Sequence, residues 1–150
     1  MLKYYNYDIV FQEIPDEVTL AVNLTNCPHR CVGCHSPHLR EDTGMALDSH
    51  TLDNLLDKYG RQITCVCFMG GDGAPKEVAQ LAQHLHKNTN LKVAWYSGND
   101  TMPATAKQFD YVKVGGYKHE YGGLKSKTTN QRLYRNINGK AEDITSRFWH

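Results

Sequence analysis

The sequence predicts an α/β fold: a single domain over residues 1–150, built as a partial, open β/α barrel around a mostly parallel sheet. Three observations carry that expectation. Apolar runs of strand length alternate with segments of helical periodicity through the middle of the chain. The strand candidates there run into loops rich in glycine, serine or asparagine, as the functional edge of a parallel sheet does. The chain has 150 residues, whereas a full eightfold barrel needs about 250, so only part of one can form.

The elements follow in order. Tyr7, Ile9 and Phe11 alternate with polar neighbours, and Val18, Leu20 and Val22 do so again after Pro15, which predicts two short strands joined by a turn. The second leads directly into a cysteine-rich loop. Leu52, Leu55, Leu56 and Tyr59 then recur at helical spacing, with Asp48 or Ser49 to cap the start and Gly60 to end it. The continuous apolar run Ile63 to Met69, which contains Cys65 and Cys67, reads as a buried strand feeding the loop Gly70-Gly71-Asp72-Gly73. Pro75 suits the first turn of a helix whose stripe is Val78, Leu81, Ala82 and Leu85. Leu91 to Tyr96 is the next strand, ending at Ser97-Gly98-Asn99. A short helix around Pro103 to Phe109 and a strand from Tyr111 to Val114 complete the alternation. Beyond Gly115 the periodicity dissolves into loop, until Asn138-Gly139 marks a hairpin turn between residues 133–137 and the final segment.

Charge excludes some functions. Lysine and arginine total 17 against 16 acids, so no net basic field speaks for nucleic acid. The distribution is uneven: residues 1–57 hold nine acids and three basic residues, and residues 113–140 hold seven basic residues and one acid, Glu120. That pattern fits a solvated surface or a docking face for an acidic partner. No run of 18 apolar residues and no signal-peptide core are present, which predicts a cytosolic protein with no membrane contact. Five cysteines, an odd number, argue for metal or redox chemistry over a disulfide framework.

The chemistry centres on Cys27-Pro28-His29-Arg30-Cys31-Val32-Gly33-Cys34. Three thiolates this close can cap three irons of a 4Fe-4S cubane and leave the fourth iron open to a substrate. Spacing alone also allows a closed zinc site in which His29, His35 or His38 supplies the fourth ligand. Gly70 and Gly71 at a strand end let backbone approach a ligand, and Asp72 supplies a negative charge for an ammonium group. Ser97 and Gly98 suit a ribose or carboxylate contact by the same reasoning. Cys65 and Cys67, two apart in a strand, share a face and read as buried structural thiols.

The cysteine spacing after a first barrel strand resembles the radical S-adenosylmethionine superfamily. Asn26-Cys27-Pro28-His29-Arg30-Cys31, Gly33-Cys34-His35-Ser36-Pro37, Asp110-Tyr111-Val112-Lys113-Val114-Gly115-Gly116-Tyr117 and Thr128-Thr129-Asn130-Gln131-Arg132-Leu133-Tyr134 resemble, more narrowly, the activating proteins of anaerobic ribonucleoside-triphosphate reductases. Two positions depart from the superfamily pattern: Gly33 stands where many members have an aromatic, and Asp72 where glutamate is common. The resemblance implies a cluster on Cys27, Cys31 and Cys34, with Gly33, His35, Gly70, Gly71, Asp72, Ser97 and Gly98 around S-adenosyl-L-methionine. It implies reductive cleavage to a 5'-deoxyadenosyl radical, with an electron from a low-potential donor such as flavodoxin or ferredoxin. The radical would take a hydrogen from a glycine of the large glycyl radical subunit of anaerobic ribonucleotide reductase, admitted near segment 115–131. Other outcomes are activation of a different glycyl radical enzyme, a small radical enzyme acting on a metabolite, or a zinc or electron-transfer module without catalysis.

Overall fold

A computed structural model of the chain describes residues 2–11, 13–15, 17–24, 45–99, 102, 105–115, 120–124, 126–137 and 140–148. Its strands form one eight-stranded sheet in the order β3-β1-β2-β4-β5-β6-β7-β8. In chain order these are β1 Lys3–Val10, β2 Thr19–Leu24, β3 Met45–Ala46, β4 Cys65–Met69, β5 Lys92–Tyr96, β6 Tyr111–Val114, β7 Arg132–Ile137 and β8 Lys140–Asp143. The α-helices are α1, Ser49–Tyr59, and α2, Pro75–Asn88.

This corrects the expected fold class. Among the described residues only β2–β4, β4–β5 and β5–β6 pair in parallel; β1–β2, β1–β3, β6–β7 and β7–β8 are antiparallel. The sheet is therefore mixed and strand-rich, with two α-helices among the described residues, and it is not a mostly parallel partial β/α barrel. The physical reason lies in the connections. Parallel neighbours need a crossover of a dozen or more residues; β1–β2 and β7–β8 are joined by eight and two residues and run antiparallel, whereas the longer return from β6 to β7 brings β7 back antiparallel without a described α-helix to carry a crossover. The helix expected around Pro103 to Phe109 is a single 3-10 turn, Ala106–Gln108.

The two faces of the sheet follow from strand alternation. Leu20, Val22, Leu24, Val66, Phe68, Val93, Trp95, Val112 and Val114 project to one face and form a core with Leu52 and Leu55 of α1 and Val78, Leu81, Ala82 and Leu85 of α2. Cys65, Cys67, Ala94, Tyr111 and Leu133 project to the other, where Ile14, Ile144 and Phe148 cover them. Each fully buried leucine or valine contributes about 1.5–3 kcal/mol from removed water contact, so the helical stripes read from the sequence carry the packing of that side.

Local signals explain the helix ends. The Asp48 carboxylate accepts from the Thr51 amide at 2.9 Å, and α1 ends at Gly60, whose amide donates to the Leu56 carbonyl at 2.7 Å. Pro75 opens α2, where it forfeits no intrahelical bond. Glu77 of the first turn reaches out to accept from the Leu2 amide at 2.6 Å, which ties the start of the chain to α2.

Candidate functional site

The carboxyl ends of the parallel strands β4, β5 and β6 bring three loops together. Gly70-Gly71-Asp72 leaves β4, Ser97-Gly98-Asn99 leaves β5, and Gly115 follows β6. The first two lie at one edge, as the sequence predicts, and they bond each other directly. Asp72 accepts from the Ser97 hydroxyl at 2.6 Å, from the Gly98 amide at 2.8 Å and from the Asn99 side-chain amide at 3.3 Å. These are charge-assisted bonds, roughly twice as strong as neutral ones, so the carboxylate is oriented by the neighbouring loop.

The two glycines have different reasons. Both have positive φ, 99° at Gly70 and 88° at Gly71, a region that L side chains avoid. A Cβ on Gly71 would also lie 2.6 Å from Leu24 Cδ1 and 2.8 Å from Val78 Cγ2, whereas on Gly70 the nearest atom is the Leu24 carbonyl oxygen at 3.6 Å. Gly71 is thus buried in the core, and Gly70 is the one that presents backbone at the edge. Gly70 is itself held on both sides: its amide donates to the Tyr96 carbonyl at 2.9 Å and its carbonyl accepts from Trp95 Nε1 at 2.6 Å.

Ser97 has no exposed surface. The hydroxyl expected to touch a ribose or carboxylate is directed instead at Asp72, and Gly98 and Asn99 are the outward members of that loop.

Sequence reasoning gave no role to Lys113. Its side chain is buried, with the ammonium donating to the Ser97 carbonyl at 3.2 Å and the Gly115 carbonyl at 3.0 Å, and lying 5.3 Å from the centre of the Tyr96 ring. A buried ammonium needs such partners. Gln131, also buried, donates to the same Gly115 carbonyl at 3.3 Å, and the Gly115 amide donates to Asn99 at 2.6 Å. The available signal was a single charge inside the otherwise apolar strand Tyr111-Val112-Lys113-Val114.

Cys27, Cys31, Cys34, Gly33 and His35 lie outside the described residues. The remaining thiols can be judged directly. Cys65 and Cys67 are fully buried in β4, and burial pushes both thiols well above their ordinary pKa, with a further rise at Cys65 from the Glu17 carboxylate and at Cys67 from its neighbour Cys65. Cys67 Sγ rests 3.5 Å from the Met69 sulfur. Thiolate is the form that binds iron, so these two are unsuited to a cluster. Among the described residues no three histidine, cysteine or acidic side chains gather as a metal site. The other three cysteines, Cys27, Cys31 and Cys34, begin three residues after the last residue of β2.

A family model described as a 4Fe-4S single cluster domain matches residues 18–138. The chain belongs to this family. The match runs from the residue before β2 past the end of β7 and so takes in the cysteine loop and the whole parallel centre with its carboxyl edge. Membership makes the chain an iron-sulfur protein, and three closely spaced cysteines fit one cluster and no more. Comparison with curated proteins and with solved structures gives no match. Among the described residues no helix is long and apolar enough to cross a membrane.

Proposed function

We propose that this 4Fe-4S single cluster protein is a radical enzyme that cleaves S-adenosylmethionine reductively and installs a glycyl radical on the large subunit of an anaerobic ribonucleotide reductase. The observation that carries the reading is the pairing of two features. The loop with cysteines at intervals of three and two residues leaves one cluster iron without a thiolate, and it follows the first parallel strand. Next along the same edge, Gly70 turns the chain at positive φ and Asp72 supplies a fixed negative charge.

When bound, the cluster on Cys27, Cys31 and Cys34 supplies the electron that splits the sulfonium into methionine and a 5'-deoxyadenosyl radical. The chain's own residues do the rest. Gly33, His35, Gly70, Gly71, Asp72, Ser97 and Gly98 form the setting for the substrate, in which Asp72 contributes charge and Gly98 and Asn99 face outward. Gly71 and Ser97 shape the edge from beneath. No general acid or base is required. A flavodoxin or ferredoxin serves as donor, and the partner's glycine is admitted near segment 115–131.

The test is anaerobic reconstitution with iron and sulfide, reduction, and addition of S-adenosylmethionine, with 5'-deoxyadenosine measured beside Cys31→Ala. Product that disappears in the variant supports the reading, and a glycyl radical signal on the added reductase subunit identifies the partner. A cluster that reduces normally but yields no 5'-deoxyadenosine would refute it in favour of electron transfer alone.

A further inference from the structure

Two opposite charges, Asp72 and Lys113, act on one buried serine from opposite sides. The Ser97 hydroxyl donates to Asp72 at 2.6 Å while the Ser97 carbonyl accepts from Lys113 Nζ at 3.2 Å. Ser97 is sealed from solvent and Lys113 is 8 % exposed, so neither is placed to meet a ligand itself. We infer that Lys113 is a positioning residue: through Ser97 it fixes the Asp72 carboxylate, and that carboxylate is the charge the edge presents to the ammonium group of S-adenosylmethionine. The inference rests on the function proposed above for its ligand, but the clamp itself does not.

The argument is one of rotational freedom and of satisfied bonds. A carboxylate on a loop turns about its terminal bond unless several donors hold it. Here the hydroxyl of Ser97, the amide of Gly98 and the side chain of Asn99 hold it from one loop. That loop is anchored by backbone and by side chain, and the Asn99 carbonyl accepts from the Gly115 amide at 2.6 Å. The Ser97 amide donates to the Lys113 carbonyl at 2.8 Å, which continues the β5–β6 ladder, and the Lys113 ammonium adds the second tie while also gripping the Gly115 carbonyl at 3.0 Å. One side chain thus joins the loops after β5 and β6, and Ser97 passes the restraint to the loop after β4. Lys113→Met keeps the backbone tie and the packing of the stem but removes the ammonium bonds to the Ser97 and Gly115 carbonyls.

The experiment has two arms on the full chain with its cluster reconstituted. The first, without any ligand, is amide hydrogen exchange at Gly98, whose N–H is bonded to Asp72, with the Phe68 amide in mid-β4 reporting global stability. Lys113→Met should speed exchange at Gly98 by on the order of tenfold while Phe68 stays unchanged. Equal Gly98 exchange in variant and wild type overturns the clamp. The second arm is equilibrium binding of S-adenosylmethionine. Lys113→Met and Ser97→Ala should each weaken binding by about tenfold, and the double variant little more than either. Additive losses overturn transmission through Ser97. Should Lys113→Met fail to fold, Ser97→Ala decides alone, because it leaves Lys113 both carbonyls: unaltered Gly98 exchange in that variant counts against the proposal. Absence of binding by the wild type refutes the proposed function, and the first arm still decides the clamp.

Discussion

Gly70 and Gly71 share a left-handed backbone yet differ in what surrounds them, and substitution should separate the two contributions. Gly70→Ala meets only ordinary contact with Leu24, no closer than 3.6 Å, and adds conformational strain, about 1–2 kcal/mol. Gly71→Ala adds the collision with Leu24 and Val78 and should cost about 3–4 kcal/mol in urea unfolding. The thiols give a second expectation at this scale. With both Cys65 and Cys67 buried and held protonated by burial, a thiol reagent at pH 8 should leave these two unmodified in the folded protein and modify both in urea, as mass spectrometry would read. The sequence already placed them on one strand face, because a separation of two fixes that. It did not reveal Lys113, since the chain records only that a charge interrupts an apolar strand, while its acceptors at Ser97 and Gly115 come from loops brought near by the sheet. Nor did it show that Ser97 faces Asp72, because a hydroxyl at a strand end serves ligand and protein equally well.

The elements were legible where periodicity and end signals agreed. Asp48, Gly60 and Pro75 mark helix ends at the positions the sequence indicated, and the stripe of α2 is buried as read. The region before Phe109 was over-read as a helix, because Asn136 comes from β7 to bond the carbonyls of Ala106 and Phe109 at 2.9 and 2.6 Å, satisfying groups that a longer helix would pair internally. At this scale α1 should carry a pH signature. The Thr51 amide bond holds the Asp48 carboxyl below its usual value, so its stabilising effect is present above the unfolded-state pKa, near 3.8, and is lost as pH falls through the lower folded value. Urea midpoints compared between pH 7 and pH 3 should therefore fall more for the wild type than for Asp48→Asn, which retains a capping oxygen without the titration. For α2, Leu85→Ala removes a fully buried side chain and should destabilise by about 2–5 kcal/mol.

At the scale of the whole molecule the reading failed on pairing direction and held for the gathering of the loops after β4 and β5 at one edge. Alternating apolar runs identify strands but say little about which neighbour each strand finds, and four antiparallel pairings at the flanks turned an expected parallel barrel segment into a mixed sheet. The carboxyl edge was still placed correctly, because the crossovers between β2, β4, β5 and β6 do obey the parallel rule. The family match, a 4Fe-4S single cluster domain, spans the cysteine loop and these strands together.

The core has a consequence for life in air. Apolar side chains pack on both faces of the sheet, with α1 and α2 over one and Ile14, Ile144 and Phe148 over the other, so most of the folding free energy is assembled from strands and helices that hold no iron. Destruction of the cluster by oxygen should then leave a folded protein: after chelation, far-ultraviolet circular dichroism should retain the native spectrum and unfolding should remain cooperative. Damage of that kind is repairable. Such a protein can wait out an aerobic interval as an intact, inactive vessel and be recharged when iron, sulfide and reducing conditions return, without a new chain having to be made.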